Sequence, residues 1–165
     1  MRFAVIDSSP LINLVHLELA SKLSLYFERV YIPRSVQTEV NRKSRFRYRM
    51  KKLYKIDAFR KCNAADEVNV RLLLSEIHQG EAEALVQAQE QGAAFFIGDE
   101  KRARKIAENM GLEAIGILRI LARLHLEGYA EDPYSLVHKL RKDLNYRVTD
   151  ELVQRAVETA HLPIK

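Results

Sequence analysis

Cysteine is nearly absent from this chain, whose one thiol is that of Cys62. A lone cysteine excludes an internal disulfide and any zinc site built from several cysteines. No apolar run approaches the ~20 residues that a membrane-spanning helix needs. The apolar stretch after Arg2 is short and ends at Asp7, which argues against a secretory signal peptide. These absences favour a cytoplasmic protein without a membrane segment.

Glycine is also scarce, with six residues in the chain. None of them belongs to a phosphate-binding loop, because neither a GxxxxGKS/T nor a GxGxxG pattern occurs. The five histidines are scattered and lack the spacing of metal ligands. The sequence therefore indicates neither a glycine-rich nucleotide site nor a histidine-based metal site.

The length and composition are those of one globular domain. The chain has 165 residues, of which 47% are hydrophobic and 30% charged, and this predicts a single domain over residues 1–165. Its net charge of +5 is unevenly distributed. Residues 42–61, which we call the basic segment, contain ten Lys or Arg and one acid, Asp57. Of the 27 basic and 22 acidic residues in the chain, 17 and 21 lie outside this segment, so the rest is mildly acidic.

The basic segment has the composition of a nucleic-acid contact. Four aromatic residues, Phe46, Tyr48, Tyr54 and Phe59, lie between its cations. Cations can neutralise phosphates by counterion release, and exposed aromatic faces can stack on unpaired bases. The alternative is a solvated helix face whose aromatic side chains pack inward. The candidate RNA-binding residues are Arg42, Lys43, Arg45, Arg47, Arg49, Lys51 and Lys52.

Apolar runs and helical patterns alternate along the chain. Strands are predicted at residues 3–6 and 30–32 and in the sequences AAFFIGD and LEAIG, with helices after them. The basic segment is expected to form one or two helices, inserted at about 42–61. Further helices are expected at about 133–160. The alternation predicts an α/β fold with a central parallel sheet of four to five strands.

Acidic residues stand where this fold places ligand sites. Asp7 and Asp99 each follow an apolar strand, and the carboxyl ends of parallel strands meet at one edge of the sheet. Glu39 lies in the helix after the second strand, and Glu81 opens a later helix directly after Gly80. Four carboxylates in one crevice repel each other unless a cation balances them, and all-oxygen ligands suit Mg²⁺ or Mn²⁺. The pattern therefore predicts a metal-dependent phosphodiesterase acting on nucleic acid.

Each acid also has a structural alternative. Asp7 and Asp99 could cap the helices that follow them, and Glu39 could be an ordinary surface residue. Glu81 and Glu83 are two residues apart and so point to different sides of a helix. We favour Glu81 as the ligand, with Glu83 as a supporting or solvent-exposed group. Lys101 and Arg102 follow Asp99 and could reach a scissile phosphate or form a basic helix face.

These motifs together resemble a PIN-domain ribonuclease. VIDSSPLINL is similar to the opening strand, aspartate and helix of that family, and YIPRSVQTEV to its second-strand motif, which carries Glu39. GEAEALVQAQEQGAAFFIGDEKRAR resembles its later acidic helix, strand and terminal aspartate, and the spacing from Glu81 to Asp99 agrees. The tail sequences AIGILRILARLHLEGY and SLVHKLRKDLNYRVTDELVQRAV are similar to a prokaryotic branch related to VapC-type toxins.

The resemblance implies a three-layer α/β/α fold whose Asp7, Glu39, Glu81 and Asp99 are catalytic and bind Mg²⁺ or Mn²⁺. Ser9 would support Asp7 by hydrogen bonding. The implied reaction is endonucleolytic cleavage of single-stranded RNA by a metal-activated water. A toxin held by a small antitoxin, and a homodimer, are the implied assemblies.

Two features depart from the family pattern. The third acid is a glutamate where much of the wider family has aspartate, and the basic segment looks longer and more basic than usual. An alternative function is therefore a catalytically silent RNA-binding or regulatory module with the same fold. A phosphoacceptor switch at Asp7 is disfavoured, because the acidic pair expected at the end of the first strand is missing.

Overall fold

The computed structural model describes residues 1–63 and 65–164. They form two compact units, Met1–Ile115 and the chain from Gly116 onward. The prediction of one domain over residues 1–165 stays a prediction. No helix among the described residues is both long and apolar enough to cross a membrane.

The first unit is built on a parallel sheet. In the described part of the chain the sheet has five strands in the order β3-β2-β1-β4-β5, and all neighbours are parallel. The strands are β1 (Phe3–Ile6), β2 (Arg29–Ile32), β3 (Phe59–Lys61), β4 (Phe95–Ile97) and β5 (Glu113–Ile115). The helices are α1 (Ser8–His16), α2 (Arg34–Val40), α3 (Ser44–Leu53), α4 (Glu67–Leu73), α5 (Gln79–Glu90) and α6 (Lys101–Asn109), with a 3-10 helix at Ala20–Leu25. The predicted α/β fold with a parallel sheet of four to five strands is confirmed.

Helices cover both faces of the sheet, which gives the three-layer α/β/α arrangement. On one face, Val5 and Phe96 pack in a core with the alanines and Leu85 of α5 and with Ala103 and Ala107 of α6. Alternation along β1 turns Ala4 and Ile6 to the other face, and both are fully buried. Strands buried on both faces explain the continuous apolar runs in the sequence.

The strand order places a topological switch point beside β1. The chain proceeds from β1 through β2 to β3 on one side, and β4 and β5 lie on the other side. Ligands of open α/β sheets bind outside the carboxyl ends of the strands at such a point. Ile6 of β1 is paired with Ile97 of β4, so the residues that follow these two strands emerge next to each other.

The second unit is helical. It contains α7 (Ile117–Leu126), α8 (Pro133–Leu144) and α9 (Asp150–Glu158), which pack on each other around Leu121, Leu140 and Val153. Asp132 caps α8 by accepting from the backbone N–H of Ser135, and Thr149 caps α9 through the N–H of Leu152. α8 and α9 lie within the range of about 133–160 in which helices are expected.

The basic segment is only partly helical. The sequence analysis expects one or two helices there, and α3 is one of them, but Phe59–Lys61 forms edge strand β3. This expectation is therefore corrected for its last residues. β3 pairs with β2 through Val30 and Phe59, and a pairing over so few residues leaves no period for a sequence pattern to reveal.

Candidate active site

Asp7 is held at the carboxyl end of the central strand. Its backbone N–H donates to the carbonyl of Ile97 at 2.9 Å, which continues the pairing of β1 with β4. The residue is also the N-cap of α1, because one side-chain oxygen accepts from the backbone N–H of Ser8 at 2.7 Å. Asp7 is only 6% exposed. The capping role considered as an alternative is thus present, in a carboxylate that is also deeply buried.

Glu81 is the second buried acid. It lies in the first turn of α5, and its Oε2 accepts from the backbone N–H of His78 at 3.0 Å, the return half of a capping box. Glu81 is 7% exposed, whereas Glu83 is half-buried and accepts from the side chain of Gln79 at 3.2 Å. The two glutamates therefore differ in environment. The choice of Glu81 as a metal ligand stays a prediction.

Asp99 and Glu39 stand in more open positions. Asp99 follows β4 and is half-buried. The glycine before it is required, because a Cβ on Gly98 would overlap the ring of Phe96 in the core. The alternative role of Asp99 as a helix cap is taken by Glu100, whose carboxylate accepts from the N–H groups of Arg102 and Ala103. Glu39 is exposed near the end of α2.

The four acids interact electrostatically. The pKa of Asp7 is raised from its ordinary 3.8 to about 6, first because burial disfavours the charged carboxylate. The hydrogen bond from Ser8 lowers it, and the negative charges of Glu81, Glu39 and Asp99 each raise it further. Three separate elements therefore bring negative charge to the buried carboxylate at the end of β1.

The donor chemistry suits a hard divalent cation. The acids are oxygen donors, and Asp7 and Glu81 each have one oxygen occupied by a backbone N–H. A cation among the four charges would relieve the repulsion that raises the pKa of Asp7. In the described part of the chain, however, no three His, Cys, Asp or Glu side chains are arranged so that they could hold a metal ion. The residues fit such an ion in charge and ligand type, but three of them could hold it jointly only if their side chains moved.

A cleft of about 690 Å³ is lined by α2, α4 and the start of α5, and Glu39 is the one of the four acids that lines it. Glu39 and Glu83 face it, together with the arginines Arg34, Arg42 and Arg71. Arg71 is 3.7 Å from Glu67, an exposed pair, whereas no hydrogen bond or ion pair of the Arg34 or Arg42 side chain is found within the described residues. The cleft thus combines acids with cations able to contact phosphate.

Two of these arginines, Arg34 and Arg71, were not among the candidate residues predicted from the sequence. Arg34 begins the helix that carries Glu39, so its position five residues before a candidate acid was the available signal. Arg71 lies on α4, a helix that the sequence analysis did not identify, and no sequence signal pointed to it.

Three predicted supporting residues have different surroundings. The hydrogen bond on Asp7 comes from the backbone of Ser8, and Ser9, the predicted partner, is exposed. Arg102 is 3.6 Å from Glu76 in an exposed ion pair. Lys101 is exposed in the first turn of α6. Neither cation forms part of the cleft lining.

The predicted RNA-binding residues divide into two groups. Most are exposed on or before α3, whose opposite face buries Phe46, Met50 and Leu53. Arg49 is half-buried and donates to the carbonyls of Val15 and His16 at 3.0 Å each. It satisfies carbonyls at the end of α1, so its guanidinium is already occupied within the fold. The members of the exposed group are Arg42, Lys43, Arg45, Arg47, Lys51 and Lys52.

Comparison with known proteins identifies the family. Residues 3–161 match the model of the family DUF3368, described as a PIN domain. Among solved structures, PAE2754 from Pyrobaculum aerophilum is 17% identical with a TM-score of 0.49, and the alignment covers 76% of this chain and 98% of that one. SSO1118 from Sulfolobus solfataricus, a PilT N-terminus domain protein, is 19% identical with a TM-score of 0.41, covering 73% and 91%. No curated protein sequence matches.

The family match extends over both compact units and includes all four candidate acids. PIN domains are generally nucleases and typically depend on a divalent metal. With its parallel sheet and its acids at the carboxyl ends of β1 and β4, this chain belongs to the PIN-domain family.

Proposed function

We propose that the protein is a metal-dependent endoribonuclease that cleaves single-stranded RNA, with Asp7, Glu39, Glu81 and Asp99 as its catalytic and metal-binding residues. The observation that carries the proposal is the environment of Asp7. This carboxylate is buried at a sheet edge where ligands bind, and three further carboxylates raise its pKa. Such a concentration of negative charge suits a site that is completed by Mg²⁺ or Mn²⁺.

Each residue of the site has a defined task in this mechanism. The backbone N–H groups of Ser8 and His78 fix Asp7 and Glu81, so these carboxylates are oriented before substrate binds. Glu39 and Asp99 add charge from the more exposed side. Arg34 and Arg42 in the cleft bind the phosphates that flank the scissile bond. A divalent cation held by the four carboxylates would supply the positive charge that activates water and stabilises charge developing on the phosphate.

The likeness of the tail to the VapC-related branch supports a finer proposal. In it the protein is a cytoplasmic toxin that forms a homodimer and is held by a small antitoxin. Co-expression with the product of a neighbouring short gene, followed by co-purification, tests this separately from the nuclease activity.

Cleavage of a labelled single-stranded RNA in Mg²⁺ or Mn²⁺ tests the enzyme. Activity should disappear in EDTA, and Asp7→Asn and Asp99→Asn should each lower the rate by about 100-fold or more, because several kcal/mol of transition-state stabilisation is lost. Glu81→Gln and Glu83→Gln are matched variants two residues apart, and the first should be the more damaging. Cleavage that persists in EDTA, or that survives both aspartate substitutions, would contradict the proposal.

A catalytically silent RNA-binding module is the second candidate. It is favoured by the absence, among the described residues, of three side chains arranged to hold a metal ion. RNA binding that weakens with salt, without cleavage in Mg²⁺ or Mn²⁺, would select this function.

A further inference from the structure

A second pocket lies at the opposite end of α1 from Asp7. We call it the α3 pocket; it has a volume of about 390 Å³ and lies between α1, the 3-10 helix and α3. Asp7 precedes the first residue of α1, and the pocket begins at Val15 near its end. At about 1.5 Å per residue, the two sites are separated by roughly 12 Å along the helix. The α3 pocket is therefore distinct from the acid site.

The pocket has an apolar floor and a basic rim. Val15, Leu53 and Ile56 contribute apolar surface, and Tyr48 and Lys52 stand at the edge. Tyr48 is 63% exposed, and the Nζ of Lys52 lies 4.5 Å from the centroid of its ring. A volume of this size falls within the ~300–1,000 Å³ of small-ligand sites.

Tyr48 differs from the other aromatic residues of the basic segment. Phe46 and Phe59 are buried in the core. Tyr54 is half-buried, its hydroxyl is shielded from solvent, and Lys61 lies over its ring. The inward packing considered for all four aromatics therefore describes these three, whereas Tyr48 presents its ring to solvent.

The charges of the pocket favour an anionic ligand. Glu18 is the acid in its lining, and it is 3.4 Å from the guanidinium of Arg49. Arg49 is also bound to two carbonyls of α1, which leaves Lys52 as the cation that can turn to a ligand. Arg45 and Lys51 on the same helix are exposed and extend the positive surface.

We propose that the α3 pocket binds one unpaired nucleotide of a single-stranded nucleic acid, with the base stacked on Tyr48 and the phosphate paired with Lys52. The choice of RNA as the strand rests on the proposed function. Stacking on an aromatic ring accepts any base, and a neighbouring cation holds the backbone. An acidic peptide would use the lysine but would gain little from the exposed ring. The pocket thus holds the strand at a point remote from the acids.

Binding of a fluorescein-labelled oligouridine to the full chain tests this inference. The Asp99→Asn background is used so that the RNA is not cut, and binding is followed by fluorescence anisotropy. Tyr48→Ala should weaken binding about 10-fold, and Tyr48→Phe should keep most of the affinity because the stacking face remains. Lys52→Ala removes the cation paired with the phosphate and should also weaken binding. Tyr134→Ala is the control for Tyr48→Ala and Lys142→Ala the control for Lys52→Ala, because both control residues are exposed and lie outside the first unit.

The outcomes separate the nucleotide site from its alternatives. Photocrosslinking of bromouridine-containing RNA to the peptide with Tyr48 supports the inference. Equal affinities of the Tyr48→Ala and Tyr134→Ala proteins for the RNA overturn it. It is also overturned if polyglutamate displaces the RNA equally well from the proteins with and without the Tyr48→Ala substitution. If Tyr48 governs binding but no metal supports cleavage, the proposed function fails and the pocket stands. If the wild-type chain cleaves RNA and Tyr48 has no effect, the pocket fails alone.

Discussion

At the residue scale, the two buried acids combine structural and chemical demands. Asp7 caps α1 and Glu81 caps α5, each through one oxygen bound to a backbone N–H. A neutral amide could serve as the same acceptor, so capping does not explain why a carboxylate is present. Burial and neighbouring charge make the ionised form of Asp7 unfavourable in the metal-free protein. The negative charge of Asp7 therefore lowers the stability of the metal-free protein, and a bound cation would offset this effect.

Asp7→Asn should stabilise the metal-free protein at neutral pH. The pKa of Asp7 is about 6 in the folded state against an ordinary 3.8, so the folded state holds the proton of Asp7 more tightly than the unfolded state does. The stability that this proton contributes is fully present below about pH 4 and is lost as the pH rises through 6. Asparagine has no such titration and keeps an oxygen for the N–H of Ser8. The free energy of unfolding at pH 7.5, measured with urea in EDTA, should rise by up to about 3 kcal/mol.

The pH dependence and the metal response are the controls for this prediction. At pH 4 the two proteins should differ little, because aspartate is then protonated in the folded state. Mn²⁺ should raise the melting temperature of the wild-type protein and have a smaller effect on the variant. If the Asp7→Asn protein is less stable than wild type at pH 7.5, the charge on Asp7 does not lower the stability of the folded protein.

The sequence predicted where the acids lie better than how they are bonded. Asp7 and Asp99 follow strands β1 and β4, as the end of each apolar run indicated. The assignment of the helix cap to Glu100, next to Asp99, was not predictable, because two adjacent acids are equally suited to cap. Which of Glu81 and Glu83 is buried depends on which side of α5 faces the core. The sequence leaves that side ambiguous, because Ala82 and Ala84, which flank Glu83, are small apolar residues.

At the element scale, one arginine ties α3 to the end of α1. Arg49 donates to the carbonyls of Val15 and His16 and pairs with Glu18, which has a positive φ of 60°. The left-handed backbone at Glu18 is unfavourable for a residue with a side chain, so the contacts of Arg49 help to hold this turn. The helix that presents the basic surface is thereby joined to the helix that Asp7 caps.

Arg49→Ala should lower the stability of the protein, because the guanidinium of Arg49 holds the fold and is not available to contact RNA. Two hydrogen bonds from a charged donor are removed, and carbonyls at the end of α1 lose a partner, so we expect a loss of about 1–3 kcal/mol in urea unfolding. Lys51→Ala, on the exposed side of the same helix, is the matched control and should change stability by less than about 0.5 kcal/mol. The reverse order of stabilities would contradict the structural role of Arg49.

Two short elements of the fold, β3 and α4, were not predicted from the sequence. β3 has three residues and forms the end of the basic segment, and α4 has seven residues and lies between that segment and α5. Val68 and Leu72 of α4 are exposed, so its apolar residues do not mark one buried stripe. By contrast, β1, α5 and α6 have strong periodicity or composition and were predicted. The cleft could not be predicted, because α4 forms one of its walls.

At the scale of the whole molecule, the excess of positive over negative charge is confined to the basic segment, and the rest of the chain is mildly acidic. The net charge of +5 arises from the basic segment, and the remaining residues carry 17 cations against 21 acids. In the structure six of the ten cations in the basic segment are exposed on or just before α3. A polyanion should therefore be attracted to one surface of the first unit, and repelled by the acids unless they are neutralised.

The salt dependence of RNA binding measures how much of this surface is used. Each phosphate contact with a single strand contributes about 0.7 to the slope of log K against log salt concentration. Replacing Arg45, Lys51 and Lys52 by alanine together should therefore reduce the magnitude of the slope by about 2, as measured by anisotropy with oligouridine in the Asp99→Asn background. Removing the same charge elsewhere, by alanine at Lys139, Lys142 and Arg155, keeps the net charge of the two triple variants equal. If both triple variants lower the slope alike, RNA responds to the total charge of the protein. If only the Arg45, Lys51 and Lys52 variant lowers it, the strand lies along α3, because the slope depends on cations in contact with phosphate.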